Sequence, residues 1–174
     1  DKTNQIIIRV DEGEENTEEI NVQYLDLNSY DGVIISDYVK GFLSEDSIQY
    51  ICENHNNVLI DTKRLLGEYC SKAKFIKINE DEYNASKHLL PNLSLYSSLI
   101  ITLGSKGCKY LDKIYPVKKV EIKDQTGAGD TFVAAFLTMF IKNKNIDKSL
   151  KFANDCSTYV VQKRGVVTLE NKKI

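Results

Sequence analysis

Four short aliphatic runs, at residues 32–36, 57–61, 74–78 and 98–102, are separated by stretches with helical patterning. Buried strands alternating with helices specify a parallel sheet, because a parallel pair needs a long crossover between its strands. Ser44 opens a predicted helix to about residue 52, with Asp46 and Ser47 in its first turn. A second is predicted from Asn79 to about Leu90. The pattern then changes: Thr102-Leu-Gly-Ser-Lys-Gly107 carries two glycines before a short strand at 108–112, which predicts a hairpin. Further extended chain is expected over 115–122. Residues 127–142 are nearly all apolar and predict a helix buried on most sides. A last helix is expected from Lys148 to about Gln162, with Asp147 as its cap and Gly165 closing it. The fold class is α/β with a mainly parallel sheet.

Charge narrows the function. Lys plus Arg number 23 against 25 for Asp plus Glu, so no basic footprint for nucleic acid exists. The acids cluster early, from Asp11 to Glu19, and Lys172 and Lys173 come late; both runs read as solvated surface. Cys52, Cys70, Cys108 and Cys156 are dispersed with no Cys-x-x-Cys pair, a spacing that argues against zinc and for free thiols. The longest apolar stretch, 131–141, falls well short of the ~20 residues that span a bilayer. A soluble, cytoplasmic protein without membrane or nucleic-acid partners is expected. His55 and His88 sit in polar surroundings and receive no role.

The chemistry is concentrated in Asp124-Gln-Thr-Gly-Ala-Gly-Asp130-Thr. Backbone amides at a helix start are unpaired, and the helix dipole favours negative charge there. Gly127 and Gly129 let an anion approach the backbone without side-chain obstruction. A carboxylate in the same turn, Asp130, could take a proton from a hydroxyl aligned for attack on a phosphoryl group. Taken alone, the run serves equally well as a glycine turn with an acidic helix start. Asn79-Glu-Asp-Glu82 also has two uses, as a capping box and as a polar pair at a sheet's carboxyl edge. Thr102 to Gly107 could be a plain turn, and Asn154 a solvated helical residue.

In context, Asp124-x-Thr126-Gly-Ala-Gly-Asp130-Thr-Phe followed by an Ala-rich helix resembles the signature of the ribokinase-like (PfkB) carbohydrate kinases. The resemblance implies a three-layer ribokinase-like fold, with Asp130 as catalytic base and the Gly127, Ala128 and Gly129 amides as anion hole. It implies ATP and Mg²⁺ at Asn79 and Glu82, the metal held by Glu82 through water, and it allows a monovalent cation. Thr102, Gly104, Gly107 and Asn154 match the family's nucleotide-side positions. No Gly-x-x-x-x-Gly-Lys-Ser/Thr run supports a P-loop kinase.

Two further segments, Ser36-Asp-Tyr-Val-Lys-Gly41 and Asp61-Thr-Lys63, resemble the heptose 7-phosphate kinases of lipopolysaccharide precursor synthesis. So does Lys163-Arg-Gly165-Val-Val-Thr-Leu. Val39 stands where that group has glycine, and Thr62 where it has proline. The likeness implies phosphorylation of D-glycero-β-D-manno-heptose 7-phosphate at O1. Asp37, Lys40, Asp61 and Lys63 are the candidate sugar-phosphate contacts, by hydrogen bonds from hydroxyls and by charge. The nucleotidyltransferase motif of the bifunctional members is absent. The strand-like run at 5–10 resembles the interior of a longer kinase, so the chain reads as a C-terminal portion of one kinase domain, 1–174. Association as a homodimer, or with an N-terminal half, is expected. Another sugar or nucleoside kinase of the family, or a non-catalytic nucleotide-binding module that pairs with another chain, remains the alternative.

Overall fold

The computed structural model describes residues 18–169. The strand-like run at 5–10, most of the acidic cluster, and Lys172 and Lys173 lie outside the described residues. A six-stranded sheet has its strands in chain order. These are β1 (Val33–Asp37), β2 (Val58–Thr62), β3 (Phe75–Asn79), β4 (Leu99–Thr102), β5 (Cys108–Tyr110) and β6 (Lys113–Tyr115). The first four are parallel, and β5 and β6 continue antiparallel. The expected hairpin after Thr102 is therefore present. Its second strand is short, however, and residues 116–122 carry no ladder.

Among the described residues five α-helices accompany the sheet: α1 (Glu45–Asn54), α2 (Glu80–Ser86), α3 (Leu90–Leu93), α4 (Ala128–Asn143) and α5 (Ile146–Val160). Ser44 caps α1 by accepting from the Ser47 amide, and Glu19 adds to that cap by accepting from the Ser47 hydroxyl at 2.7 Å. The helix expected to run to Leu90 stops at Ser86. Pro91, one residue past the expected end, would set its ring against the carbonyl four residues back, at Lys87, if the same helix ran on to it. The chain restarts instead as α3 with Pro91 in the first turn, where a missing N–H goes unused. The last helix also differs: Asn145, not Asp147, caps α5 by accepting from the Lys148 amide. Asp147 in the first turn accepts from the Tyr115 hydroxyl at 2.9 Å and from Lys113. No described helix is long and apolar enough to cross a membrane.

Strand alternation divides the core into two. Val58, Ile60, Ile76, Ile78 and Ile101 face α1 and the turn at Tyr69 and Cys70. Leu59, Phe75 and Ile100 face α4 and α5. Phe75 packs edge-on against Phe136 and Phe140, with ring centroids 4.8 Å away in each case. The later part of α4 thus lies over the start of β3, while its first turn reaches the end of that strand. That antiparallel course sets the head of α4 above the carboxyl edge of the sheet. All four cysteines are free and buried. β1 forms one border of the sheet, with Ile34 at 42% exposure and Tyr30 at 66% nearby.

Candidate active site

The head of α4 is shaped by Gly127, which caps the helix in a left-handed conformation at φ 76°. Asp124 builds the turn before it. One carboxylate oxygen accepts from the Thr126 amide at 2.9 Å and the Thr126 hydroxyl at 2.7 Å. The other accepts from the Gly165 amide at 3.0 Å. The Thr126 hydroxyl first, and then the Thr126 and Gly165 amides, hold the Asp124 carboxyl below its usual range. Gly165 accordingly does not close α5, which ends five residues earlier; it ties the C-terminal segment to the α4 turn. The Ser157 hydroxyl adds a second tie by donating to the Ala128 carbonyl at 3.0 Å. The Ala128 amide donates to Gln125 at 3.2 Å, whereas those of Gly127, Gly129 and Asp130 reach no backbone carbonyl among the described residues. Asp130 is exposed in the first turn.

Beside this turn lies a cleft of about 480 Å³. Asn79, Thr102, Gly104, Gly107, Ala128, Gly129 and Asn154 all line it, joined by an apolar wall of Val117, Val120, Phe132 and Val161. The structure thus gathers into one cavity residues spread over more than seventy positions of sequence. Gly107, at φ 95°, could not be replaced here, because a methyl group on it would lie 2.0 Å from the Tyr115 carbonyl oxygen. That carbonyl also accepts from Asn154 Nδ2 at 2.8 Å. Asn154 is therefore buried and pins α5 to the hairpin, rather than lying solvated on a helix. A larger cavity, about 680 Å³, opens at the opposite edge of the sheet and contains none of the sequence-derived site residues.

The other candidates follow β1, β2 and β3 along the same carboxyl edge. Asn79 and Glu82 form a reciprocal capping box, with Asn79 Oδ1 accepting from the Glu82 amide at 2.8 Å and Glu82 Oε2 from the Asn79 amide at 2.7 Å. The second Glu82 oxygen accepts from Lys63. Desolvation works to lower the Lys63 pKa, but that hydrogen bond and the charges of Glu82 and Asp61 outweigh it, so the amine is held above its ordinary value. Asp37 is buried and already engaged: it accepts from the Val39 amide at 2.9 Å, the Thr62 hydroxyl at 3.0 Å and Arg64 Nε at 2.6 Å. Arg64 also reaches the Leu43 carbonyl at 2.6 Å, so it holds down the 38–43 loop on which Lys40 is exposed. Asp61 is paired with Lys77, whose Nζ lies 3.1 and 3.0 Å from its two oxygens.

Arg64 and Lys77 were not predicted from sequence. Lys77 had a signal, a lone cation in the otherwise apolar run Phe75-Ile-Lys-Ile78; Arg64 had none. Among the described residues no three His, Cys, Asp or Glu side chains converge as a metal cage. Both Glu82 oxygens are engaged, by the Asn79 amide and by Lys63, so the residues present fit only a cation held chiefly by phosphate oxygens and water, which this carboxylate would reach through water.

The family model for pfkB carbohydrate kinases matches residues 3–173. This chain belongs to the pfkB carbohydrate kinase family. Among pfkB relatives, the bifunctional protein HldE of Nitratiruptor sp. is 33% identical over 99% of this chain and 42% of its own length. HldE of Sulfurimonas denitrificans is 32% identical over 86% of this chain and 36% of its own. The chain thus spans about two fifths of these relatives or less. Fructokinase-1 of Zea mays is 39% identical over 80 residues, 40% of this chain and 25% of that protein. The pfkB fold is equally evident in structure. Ribokinase from Thermotoga maritima superposes with a TM-score of 0.68 at 22% identity, over 86% of this chain and 57% of that one. Arabidopsis thaliana ribokinase, solved with ribose and ATP, gives 0.61 at 18% identity over 76% and 50%.

Proposed function

We propose that this chain carries the nucleotide and phosphoryl-transfer half of an ATP-dependent sugar kinase, acting on D-glycero-β-D-manno-heptose 7-phosphate at O1. The observation that carries the reading is Asp130, exposed beside unpaired amides at the head of α4, next to a cleft that holds the sequence-predicted nucleotide residues. The apolar wall suits a flat base, and the open amides suit the phosphates at its other end. The heptose assignment is supported by the HldE relatives and by the 36–41 and 61–63 segments. Lys40 and Lys63 supply positive charge on the sugar side, suited to a phosphorylated substrate.

In this mechanism Asp130 accepts the proton of the anomeric hydroxyl as its oxygen attacks the terminal phosphorus. The bond from that phosphorus to the β-phosphate oxygen breaks, and ADP leaves. The Gly127 and Gly129 amides stabilise charge on the group in transit. Magnesium bound with the nucleotide would neutralise phosphate charge, held through water by Asn79 and Glu82. Asp130→Asn keeps the shape of the turn and removes the base. Turnover should fall by at least two orders of magnitude, the low end of what a positioned base contributes, with ATP affinity nearly unchanged. Coupled assays of ADP release should compare the heptose phosphate with ribose, fructose and adenosine as acceptors. Wild-type turnover in Asp130→Asn would refute the base, and preference for another acceptor would refute the heptose.

A further inference from the structure

We propose that Arg64 is a positioning residue for the acceptor: with Asp37 it clamps both ends of the 38–43 loop and fixes where Lys40 meets the phosphate of a phosphorylated sugar. The proposal rests on the kinase reading above and deepens its acceptor side. The Asp37 carboxylate is buried at the end of β1, at 6% exposure. Its Oδ1 accepts from the Val39 amide at 2.9 Å, and its Oδ2 from the Thr62 hydroxyl at 3.0 Å and Arg64 Nε at 2.6 Å. Arg64 Nη2 donates to the Leu43 carbonyl at 2.6 Å. One guanidinium therefore reaches from the residue before the loop to the last residue of it. Arg64 is itself aimed, because its amide donates to the Thr62 hydroxyl at 3.0 Å and the neighbouring Lys63 amide donates to the Asp37 carbonyl at 3.1 Å.

Val39 and Thr62, the two residues that depart from the heptose kinase pattern, both meet this carboxylate. Val39 at φ 60° and Gly41 at φ 89° put two left-handed residues into one short loop. Such backbone persists where its surroundings hold it in place, and here the holding groups are Asp37 and Arg64. A guanidinium suits the task. Two of its five donors reach acceptors in fixed relative positions, which a point charge on a flexible stem does not match. With three donors already on it, Asp37 organises the loop instead of contacting the sugar. Lys40 lies exposed between the two tethered ends, and Lys63 Nζ stands 6.0 Å from the centroid of the Tyr38 ring on the same loop. A loop ordered before its ligand arrives spares binding the cost of ordering it. The gain falls on the contact that the loop carries, Lys40 to the phosphate.

The test combines hydrogen exchange of the 38–43 amides with calorimetric titrations on the whole chain. The ligands are D-glycero-β-D-manno-heptose 7-phosphate, the same heptose without its phosphate, and ATP. Arg64→Lys keeps a cation beside Asp37 and gives up the second tie, to Leu43. It should melt near wild type and exchange the 38–43 amides about tenfold faster, with β2 and β3 unchanged. It should bind the heptose phosphate about tenfold more weakly, as for one misplaced charge-assisted hydrogen bond, and the bare heptose and ATP within about twofold of wild type. If it melts well below wild type, Asp37→Asn/Arg64→Gln removes both charges together and takes the same comparison. Unchanged loop exchange would overturn the clamp. A loosened loop with the wild-type preference for the phosphorylated heptose, or equal weakening of all three ligands, would overturn the positioning role and leave the kinase reading intact. Wild-type protein that binds ATP without preferring the phosphorylated heptose would overturn this proposal together with the heptose assignment. Wild-type protein that binds no ATP would overturn the kinase reading itself.

Discussion

Val39 holds φ at 60° on the loop between β1 and α1, a conformation in which a β-branched side chain crowds its own backbone. For an L-residue that region costs about 1–2 kcal/mol relative to ordinary backbone. Val39 is 45% exposed, so shortening it forfeits under 1 kcal/mol of burial at the usual scale. The Asp37 carboxylate accepts from the Val39 amide, not from its side chain, so the turn itself survives substitution. Val39→Gly should therefore raise stability by several tenths to about 1 kcal/mol, or roughly 2–4 °C per kcal/mol in melting temperature for a chain of this size. Val39→Ala gives up the same burial and still has a Cβ in the left-handed region; it should melt below Val39→Gly by about 1 kcal/mol equivalent. Calorimetric melts of the three proteins at one pH make the comparison. Should Val39→Gly melt at or below wild type, or Val39→Ala match it, the strain argument fails.

Gly107→Ala places a methyl group 2.0 Å from the Tyr115 carbonyl oxygen; it should destabilise by more than 2 kcal/mol in denaturant titrations or prevent accumulation of folded protein. Asp124 supports stability only while ionised, since its folded pKa lies below the ordinary value of 3.8. That stabilisation is complete above the unfolded pKa and is lost as pH falls through the folded one. Asp124→Asn should therefore melt below wild type at neutral pH, with the gap closing toward pH 3; a gap independent of pH would contradict this. Burial pushes the Cys52 and Cys108 thiols up to about 12. With all four cysteines buried, a thiol reagent at pH 8 should modify none of them in minutes and all four in denaturant.

The alternation of strands and helices was legible because each crossover returns a strand of the same hydrophobic type, from residues 32–36 onward. Asp130 and its glycines were legible because helix-start chemistry is local, fixed by residues within one turn. The Asn79 and Glu82 box is local in the same sense. Asp147 was expected to cap α5, whereas Asn145, two residues earlier, does so; both are capping residue types, and Asp147 is drawn instead to Lys113 and Tyr115. Gly165 was misread for a related reason: its partner, Asp124, lies 41 positions away. Asp61 with Lys77, and Asp37 with Arg64, became visible only once strand register and loop path were known.

Strand order that follows chain order has an evolutionary consequence. The contacts proposed for the two substrates come from separate crossovers, laid side by side from β1 to β5. The 38–43 loop, the 63–67 segment and the head of α2 can each be altered without changing the register of any pair but its own. In the proposed kinase the candidate sugar contacts of this chain fall in the β1 and β2 turns, apart from the candidate phosphate-handling end on β4, α4 and α5. Such a sheet is a bench whose tool positions lie side by side, and the bonds of Arg64 to the 38–43 loop and of Lys63 to Glu82 couple each position to the next.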